Sequence, residues 1–338
     1  MKVVVYSVKE FEKEFVARAN KKQHDITLIS NPLSLETAVY AQGKEAVVVS
    51  IHDDLSALVI DKLADQGIKY ITTRSVSTDH IDRESAGKRK IKLANVPSYS
   101  PAAIAEYTLM LALSLSRKII STVNSSREFD FRIDQHIGFN FLGKTVGIVG
   151  LGEIGRATAS LFKGMGCTVL GHDIKSFPSL DFIEEVSLDR LFEESDIISL
   201  HIPLTSETKH LINLQSLSKM KNGLMLINTS RGGLIKTSDL PKALKNGKIA
   251  YLGLDGYEFE KDLFYSNHRE DRVKDPILEE LLSFPNVIIS PHQAFLTKEA
   301  LQEIANLTIR NLDNWQAGKC SGKACVCADG CKKVPDSN

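Results

Sequence analysis

Cysteine is nearly absent from the body of this chain: of five, only Cys167 precedes residue 320, so no disulfide framework staples the fold. Neither sign of charge is in excess. Lys and Arg number 42 and Asp and Glu number 42, and a net charge of zero provides no general pull toward nucleic acid or an anionic membrane. Long hydrophobic runs are missing as well: the longest, residues 107–115, is about half the ~20 residues that a membrane span requires, with Glu106 and Arg117 just outside it. The first fourteen residues have one short apolar run, Val3 to Tyr6, soon followed by Lys9, Glu10, Glu12, Lys13 and Glu14, a pattern too brief and too charged for an export signal. A cytoplasmic protein with neither membrane nor nucleic-acid partners is expected.

What is present is an ordinary globular composition, 43% apolar and 25% charged, in 338 residues, a length that favours two domains. Short β-branched runs at 3–6, 26–29, 46–51 and 69–72 alternate with amphipathic segments. A second series follows at 146–149, 168–170, 197–200, 224–227, 249–254 and 287–289. These strands are nearly all apolar rather than alternating, which predicts parallel sheets covered on both faces, an α/β class. Between the two series, residues 101–120 read as one long helix with Pro101 in its first turn, apolar on nearly every face and therefore expected at a domain or subunit interface. Residues 297–315 read as a final helix.

Directly after the strand at 146–149 comes Gly150-Leu151-Gly152-Glu153-Ile154-Gly155, which opens a helical run expected over 156–165. Glycines permit a tight turn and close approach of backbone to a pyrophosphate, whose charge the helix amino end stabilises. Asp173 stands 18 residues past Gly155, at the end of the next strand, placed to accept from ribose hydroxyls and to repel a 2′-phosphate. NAD is the expected cofactor.

Three further segments sit where strands of the second series end: Asn228-Thr229-Ser230-Arg231-Gly232-Gly233, Leu254-Asp255-Gly256-Tyr257-Glu258-Phe259-Glu260 and Ser290-Pro291-His292-Gln293-Ala294-Phe295. Ligands of open α/β sheets bind at such strand ends. Reduction of a 2-oxo acid requires a cation for the carboxylate, an acid for the carbonyl oxygen and a group that keeps the acid protonated. Arg231 offers a two-pronged fork for the first, and His292 offers an imidazolium for the second. Glu260 or Glu258 would stabilise that imidazolium, and spacing alone does not rank the two.

With these motifs in order, the chain resembles the NAD-dependent D-2-hydroxyacid dehydrogenase family, and within it the fermentative D-lactate dehydrogenases, from residue 1 to about 318. The resemblance is carried by Asn95-Val96-Pro97-Ser98-Tyr99-Ser100-Pro101, the Gly150 to Gly155 turn, Leu200-His201-Ile202-Pro203-Leu204-Thr205, Thr229-Ser230-Arg231, Asp262-Leu263-Phe264 and His292-Gln293-Ala294-Phe295-Leu296-Thr297. It implies two Rossmann-like or flavodoxin-like parallel-sheet domains with a cleft between them. A nucleotide domain, 100–295, would be inserted into a discontinuous substrate domain, 1–99 with 296–318. It further implies that Arg231 binds substrate, that His292 is the proton donor and that Glu260, rather than Glu258, pairs with it. Cofactor contacts implied are Gly150, Gly152, Glu153, Ile154 and Gly155 at the pyrophosphate and Asp173 at the ribose. Ile202, Pro203, Thr208, Thr229, Ser230 and Arg231 would lie along the dinucleotide, with Asp255 at the carboxamide. Val76 and Ser77 would hold the substrate carboxylate, with Tyr99 and Phe295 walling the pocket. Ser77 stands where the family commonly has glycine, a substitution that matters if that backbone requires positive φ.

The implied reaction is reversible reduction of pyruvate to D-lactate in a homodimer or homotetramer. Alternatives are enzymes of the 2-hydroxyisocaproate or hydroxypyruvate/glyoxylate type and a dinucleotide-sensing interaction protein. Residues 319–338, with Cys320, Cys325, Cys327 and Cys331, lie beyond the resemblance; their spacing departs from paired C-x2-C zinc hooks, so a disordered tail of reduced thiols without metal is expected.

Overall fold

Valine-rich segments buried on both faces set the architecture. Val3, Val4, Val5 and the run Ala46–Val49 have almost no exposed surface, which requires a sheet sandwiched between helices. The structure, a computed structural model, describes residues 1–175, 180–261, 263–270 and 274–328, and divides into two units.

The first unit comprises residues 1–100 and the described residues from Leu296 onward. Its strands are β1 (Lys2–Val5), β2 (Asp25–Leu28), β3 (Ala46–Val49), β4 (Tyr70–Thr73) and β5 (Lys92–Ala94), all parallel in the order β2-β1-β3-β4-β5. One face is filled by Val4, Val47, Leu55, Ile60, Ile71 and Leu93. On the other, Ile309, Leu312 and Trp315 of the helix Lys298–Gln316 cover Val3, Val5 and Val48, and Trp315 stacks on Tyr70 at 5.0 Å between ring centroids. Thr297 starts that helix by accepting from the Ala300 amide at 3.1 Å.

The tail departs from expectation. Rather than trailing away, residues 324–327 lie along the outer edge of β5: Asn95 N donates to Ala324 O at 2.9 Å and Val326 N to Leu93 O at 3.1 Å, with an antiparallel bridge between Ala94 and Cys325. The Leu93 amide finds its acceptor in Cys327 Sγ at 3.2 Å. The sequence signal for tail disorder was composition, but Ala324, Val326 and Cys327 are small and apolar enough to join the core of this unit. Cys325 and Cys327 form no disulfide, whereas Cys320 is disulfide-bonded, contrary to the expected set of reduced thiols; Cys331 lies outside the described residues. Among the described residues no cluster of three or more His, Cys, Asp or Glu side chains could hold a metal.

The second unit, Pro101–Phe295, holds β6 (Thr145–Val149), β7 (Thr168–His172), β8 (Glu184–Glu185), β9 (Ile197–Leu200), β10 (Leu224–Asn228), β11 (Ile249–Leu254) and β12 (Val287–Ile289). All are parallel, in the order β12-β11-β10-β9-β6-β7-β8. Chain direction across the sheet reverses between β6 and β9, the switch point at which open α/β sheets form a crevice.

The helix expected over 101–120 ends at Ser116, because Lys118 adopts a left-handed backbone (φ 50°); a second helix, Ile119–Arg127, then starts. Of the first of these helices, Leu111, Ala112 and Leu115 join Val146, Ile148, Phe162 and Ile227 inside the unit, whereas Met110 is exposed. Further exposed apolar surface comes after it, at Ile120, Phe129, Phe131, Ile133, Ile137 and Leu142. No helix among the described residues is long and apolar enough to cross a membrane.

Candidate active site in the second unit

Every chemistry-bearing segment of this unit leaves the sheet at its carboxyl edge. β6 runs into Gly150, β7 into Asp173, β9 into His201, β10 into Arg231, β11 into Asp255 and β12 into His292.

At the switch point, Gly150 has φ +99°, and a Cβ there would sit 2.4 Å from His201 O. A Cβ on Gly155 would sit 1.9 Å from Gly150 O, so the turn and its helix pack together only without side chains. Around Gly152, by contrast, a Cβ would meet nothing within 4 Å, leaving open space beside the helix start. The helix spans Glu153–Gly164, beginning three residues earlier than its apolar periodicity indicates, so the amides of Glu153, Ile154 and Gly155 fall in its first turn, where N–H groups lack intrahelical acceptors. Asp173 caps the arrangement: Oδ2 accepts from Leu151 N at 2.7 Å and Oδ1 from Lys175 N at 2.9 Å. This cradle fits a dinucleotide pyrophosphate with its ribose at Asp173.

At the other end of the edge, His292 Nδ1 lies 2.7 Å from Glu260 Oε1, and both side chains are largely buried. The pairing selects Glu260 over Glu258. Glu260 Oε2 accepts from Tyr257 N at 2.9 Å, which fixes the carboxylate in its own turn. With Nδ1 donating to a carboxylate, the imidazole presents Nε2 for proton transfer. His292 holds a left-handed backbone (φ 50°), a conformation that costs about 1–3 kcal/mol and persists only when its surroundings impose it. They do so from three sides: His292 N donates to Asp255 O at 2.8 Å and Ser290 O at 3.0 Å, and Tyr265 Oη donates to His292 O at 2.6 Å.

Asp255 has no exposed surface, and its carboxylate accepts from Ser290 Oγ at 2.7 Å, Gln293 N at 2.9 Å and Ala294 N at 2.8 Å. Burial pushes this carboxyl above its ordinary range while those hydrogen bonds oppose the shift. In this structure it holds the His292 loop in place.

Arg231 lies three residues past Asn228, and His292 three past Ile289; both strands pair with Leu254 between them, so the two turns leave the same edge from strand ends about two strand spacings, ~10 Å, apart. The Arg231 turn is held by Asn228 Nδ2 donating to Arg231 O (2.8 Å), by Ser230 Oγ donating to Leu200 O (2.8 Å) and by the Thr229–Thr108 hydroxyl pair (2.8 Å).

The remaining expected contacts divide by unit. Ile202 and Pro203 follow β9, whereas the Thr208 hydroxyl is engaged within its own loop, donating to Pro203 O at 2.7 Å and accepting from Thr205 N at 2.8 Å. Phe295 closes this unit. Val76, Ser77 and Tyr99 belong to the first unit, where Asn95 Nδ2 donates to Val76 O at 2.7 Å and Ser75 Oγ to Ser77 O at 2.7 Å. Ser77 is not among the residues with positive φ, so serine in place of glycine carries no backbone strain. Asp262 lies outside the described residues. Sequence reasoning missed Tyr265, the holding role of Asp255 and a second imidazole–carboxylate contact, His210 with Glu258; only the Glu-x-Glu spacing at 258 and 260 hinted at the last.

Glycine turn, helix start and Asp173 define a dinucleotide-binding α/β domain of the dehydrogenase class. A family model described as D-isomer specific 2-hydroxyacid dehydrogenase, NAD binding domain, matches residues 109–294. The D-lactate dehydrogenase kk1H of Curvularia clavata is 43% identical over 332 residues, covering 96% of this chain and 95% of the relative. Among solved structures, the one identifying the pyruvate reductase of Chlamydomonas reinhardtii aligns with a TM-score of 0.89 at 37% identity, over 95% of this chain and 98% of that one. The D-lactate dehydrogenase of Lactobacillus jensenii with NAD+ gives 0.81 at 34% identity, over 95% and 98%. The chain belongs to the NAD-dependent D-2-hydroxyacid dehydrogenases.

Proposed function

We propose that this enzyme is a D-lactate dehydrogenase, reducing pyruvate to D-lactate and running the reaction in reverse. The observation that carries the reading is the 2.7 Å His292–Glu260 contact at the same sheet edge as the Arg231 turn. The names of the Curvularia and Chlamydomonas relatives, a D-lactate dehydrogenase and a pyruvate reductase, support the choice of substrate.

Bound NADH supplies the hydride to C2 of the substrate. The amides of Glu153, Ile154 and Gly155 would hold its pyrophosphate and Asp173 its ribose, with Ile202, Thr229 and Ser230 beside the rest. Arg231 receives the substrate carboxylate in a two-pronged charge-assisted contact, which fixes the plane of the neighbouring carbonyl. His292, protonated at both ring nitrogens, gives the Nε2 proton to the carbonyl oxygen as negative charge develops there, and Glu260 stabilises the cation before transfer. In the oxidation direction neutral His292 takes the hydroxyl proton at Nε2.

The test is initial-rate oxidation of NADH with pyruvate, 2-oxobutyrate, 2-oxoisocaproate, phenylpyruvate, glyoxylate and hydroxypyruvate, with product chirality determined. Highest kcat/KM for pyruvate and a D product are expected. A preference for a branched, aromatic or C2 substrate overturns the assignment within the family, and no turnover of any 2-oxo acid favours a dinucleotide-sensing interaction protein.

A homodimer or homotetramer is proposed in the same terms, because Phe129, Phe131, Ile133 and Ile137 are each at least 70% exposed, an apolar patch that a second copy would cover. Sedimentation of a monomer at micromolar concentration would refute it. We place the enzyme in the cytosol, where Cys167, Cys325 and Cys327 would stay reduced; the disulfide at Cys320 is the observation that stands against this placement.

A further inference from the structure

Two histidines, not one, meet glutamates at this edge. His210 Nε2 lies 2.5 Å from Glu258 Oε1, and Glu258 Oε2 accepts from Thr237 N at 3.0 Å. Glu258 stands in the same short turn as Glu260, closed by Glu260 N donating to Tyr257 O at 3.2 Å. One turn thus carries two carboxylates: Glu260 toward the acid–base histidine and Glu258 toward a histidine that the reaction does not use.

What Glu258 holds is the loop that follows β9. That loop leaves the sheet with His201 O against the glycine turn, crosses Gly233 with Leu204 packed 3.0 Å from where a Cβ of Gly233 would lie, and returns to Gly233, whose carbonyl accepts from His210 N at 2.8 Å. It therefore spans the ground between the phosphate cradle and the Arg231 turn. His210 itself is turned by a left-handed backbone (φ 55°), and its carbonyl accepts from Asn213 Nδ2 at 2.8 Å. Within the loop, the Thr205 and Thr208 hydroxyls each accept from the other's amide and the Thr208 hydroxyl donates to Pro203 O, so the segment is ordered internally and what remains is to fix its far end. There the backbone bonds of His210 N to Gly233 O and of Ile212 N to Leu234 O (3.0 Å) are joined by one side-chain anchor, His210–Glu258. Its carboxylate is only 14% exposed; burial raises the carboxyl, yet the contacts from His210 and Thr237 outweigh burial and hold it below its ordinary range.

We propose that His210 and Glu258 form a positioning pair for the dinucleotide: they pin the far end of the loop over residues 201–211 to the turn that carries Glu260, presetting the surface on which the cofactor lies. A loop held in its bound shape spares the ordering entropy that binding would otherwise cost, so the pair acts on cofactor affinity rather than on the chemical step. The inference rests on the reading that this loop runs beside the dinucleotide, and is independent of which 2-oxo acid is reduced.

The experiment is direct titration of NADH, followed by its fluorescence in the absence of substrate, for wild type, His210→Gln, Glu258→Gln and the double variant, each with a thermal melt. Each single variant is expected to weaken NADH binding about tenfold, the size of a lost charge-assisted hydrogen bond, and the double variant no more than the worse single. At saturating NADH, kcat and the KM for the 2-oxo acid stay within about twofold of wild type. Unchanged NADH affinity in His210→Gln overturns the proposal. So does additive loss in the double variant, or loss of affinity in proportion to loss of Tm, which would make the pair structural only. Because the titration needs no substrate, its outcome stands apart from failure of the lactate assignment, which appears only in the substrate panel.

Discussion

The two sheets obey the same rules up to their carboxyl edges and then diverge. In the first unit, polar groups at the strand ends close upon one another: Asp53 accepts from Ser7 Oγ (2.7 Å), Leu33 N (2.7 Å) and Ser50 N (2.6 Å). Beside it Arg74 donates to Tyr6 O (3.0 Å) and Ser7 O (3.3 Å) and meets Glu12 at 3.2 Å. In the second unit the corresponding edge holds open space at Gly152 and an imidazole engaged by Glu260 through Nδ1. A charged residue at a strand end is thus no evidence of a site. Asp255 of the second edge is as fully engaged by neighbouring donors as Asp53 of the first, and what separates the two edges is the open cradle at Gly152 with the His292–Glu260 pair.

Substitutions at both edges test that distinction. The largest effect is expected from His292→Ala, which removes the acid and should lower kcat by about 10²–10⁴, with little change in Tm, in steady-state assays of NADH oxidation. Next comes Arg231→Ala: a lost charge-assisted contact of about 1.5–3 kcal/mol corresponds to roughly 10- to 150-fold in kcat/KM. Wild-type kinetics in that variant would remove the carboxylate clamp. Asp53→Asn, in the first unit, is expected to behave oppositely, costing about 1–3 kcal/mol of stability in denaturant unfolding while NADH affinity is unchanged.

The smallest effect concerns pH. Burial pushes His201 down to about 3, and its Nδ1 has no hydrogen-bond partner. Between its ordinary value of 6.5 and that figure the unfolded chain binds a proton that the folded chain does not, so stability declines as pH falls through this window. His201→Asn should flatten the decline of Tm from neutral pH to about pH 4; an unaltered slope would show that other groups govern it.

Much of this was legible in the sequence because burial on two faces leaves an unmistakable mark. The strand β6, the glycine turn and Asp173 follow from apolar runs and from the steric demands of a phosphate cradle. β5 and β8 left no such trace. They are three and two residues long, and β8 consists of Glu184 and Glu185, which reads as loop. The end of the helix at Ser116 was hidden because Arg117 and Lys118 are good helix formers, and only the left-handed backbone at Lys118 breaks the run. Glu258 and Glu260 have the same chemistry and differ by one step along a turn. Which histidine each meets depends on the direction of that turn in space, and no periodicity encodes it. Asp255 was placed at the carboxamide by the family resemblance alone; that it also accepts from three donors on the His292 loop is a tertiary arrangement that the sequence does not encode.

The segment along β5 has a consequence for how the protein survives in concentrated solution. A sheet that ends in an uncovered strand is a template on which another molecule can add its own backbone, the first step of aggregation. Residues 324–327 occupy that template with the chain's own amides and carbonyls. A variant truncated after Gly318 should therefore precipitate sooner and at lower concentration than the full chain, even with its catalytic edge untouched.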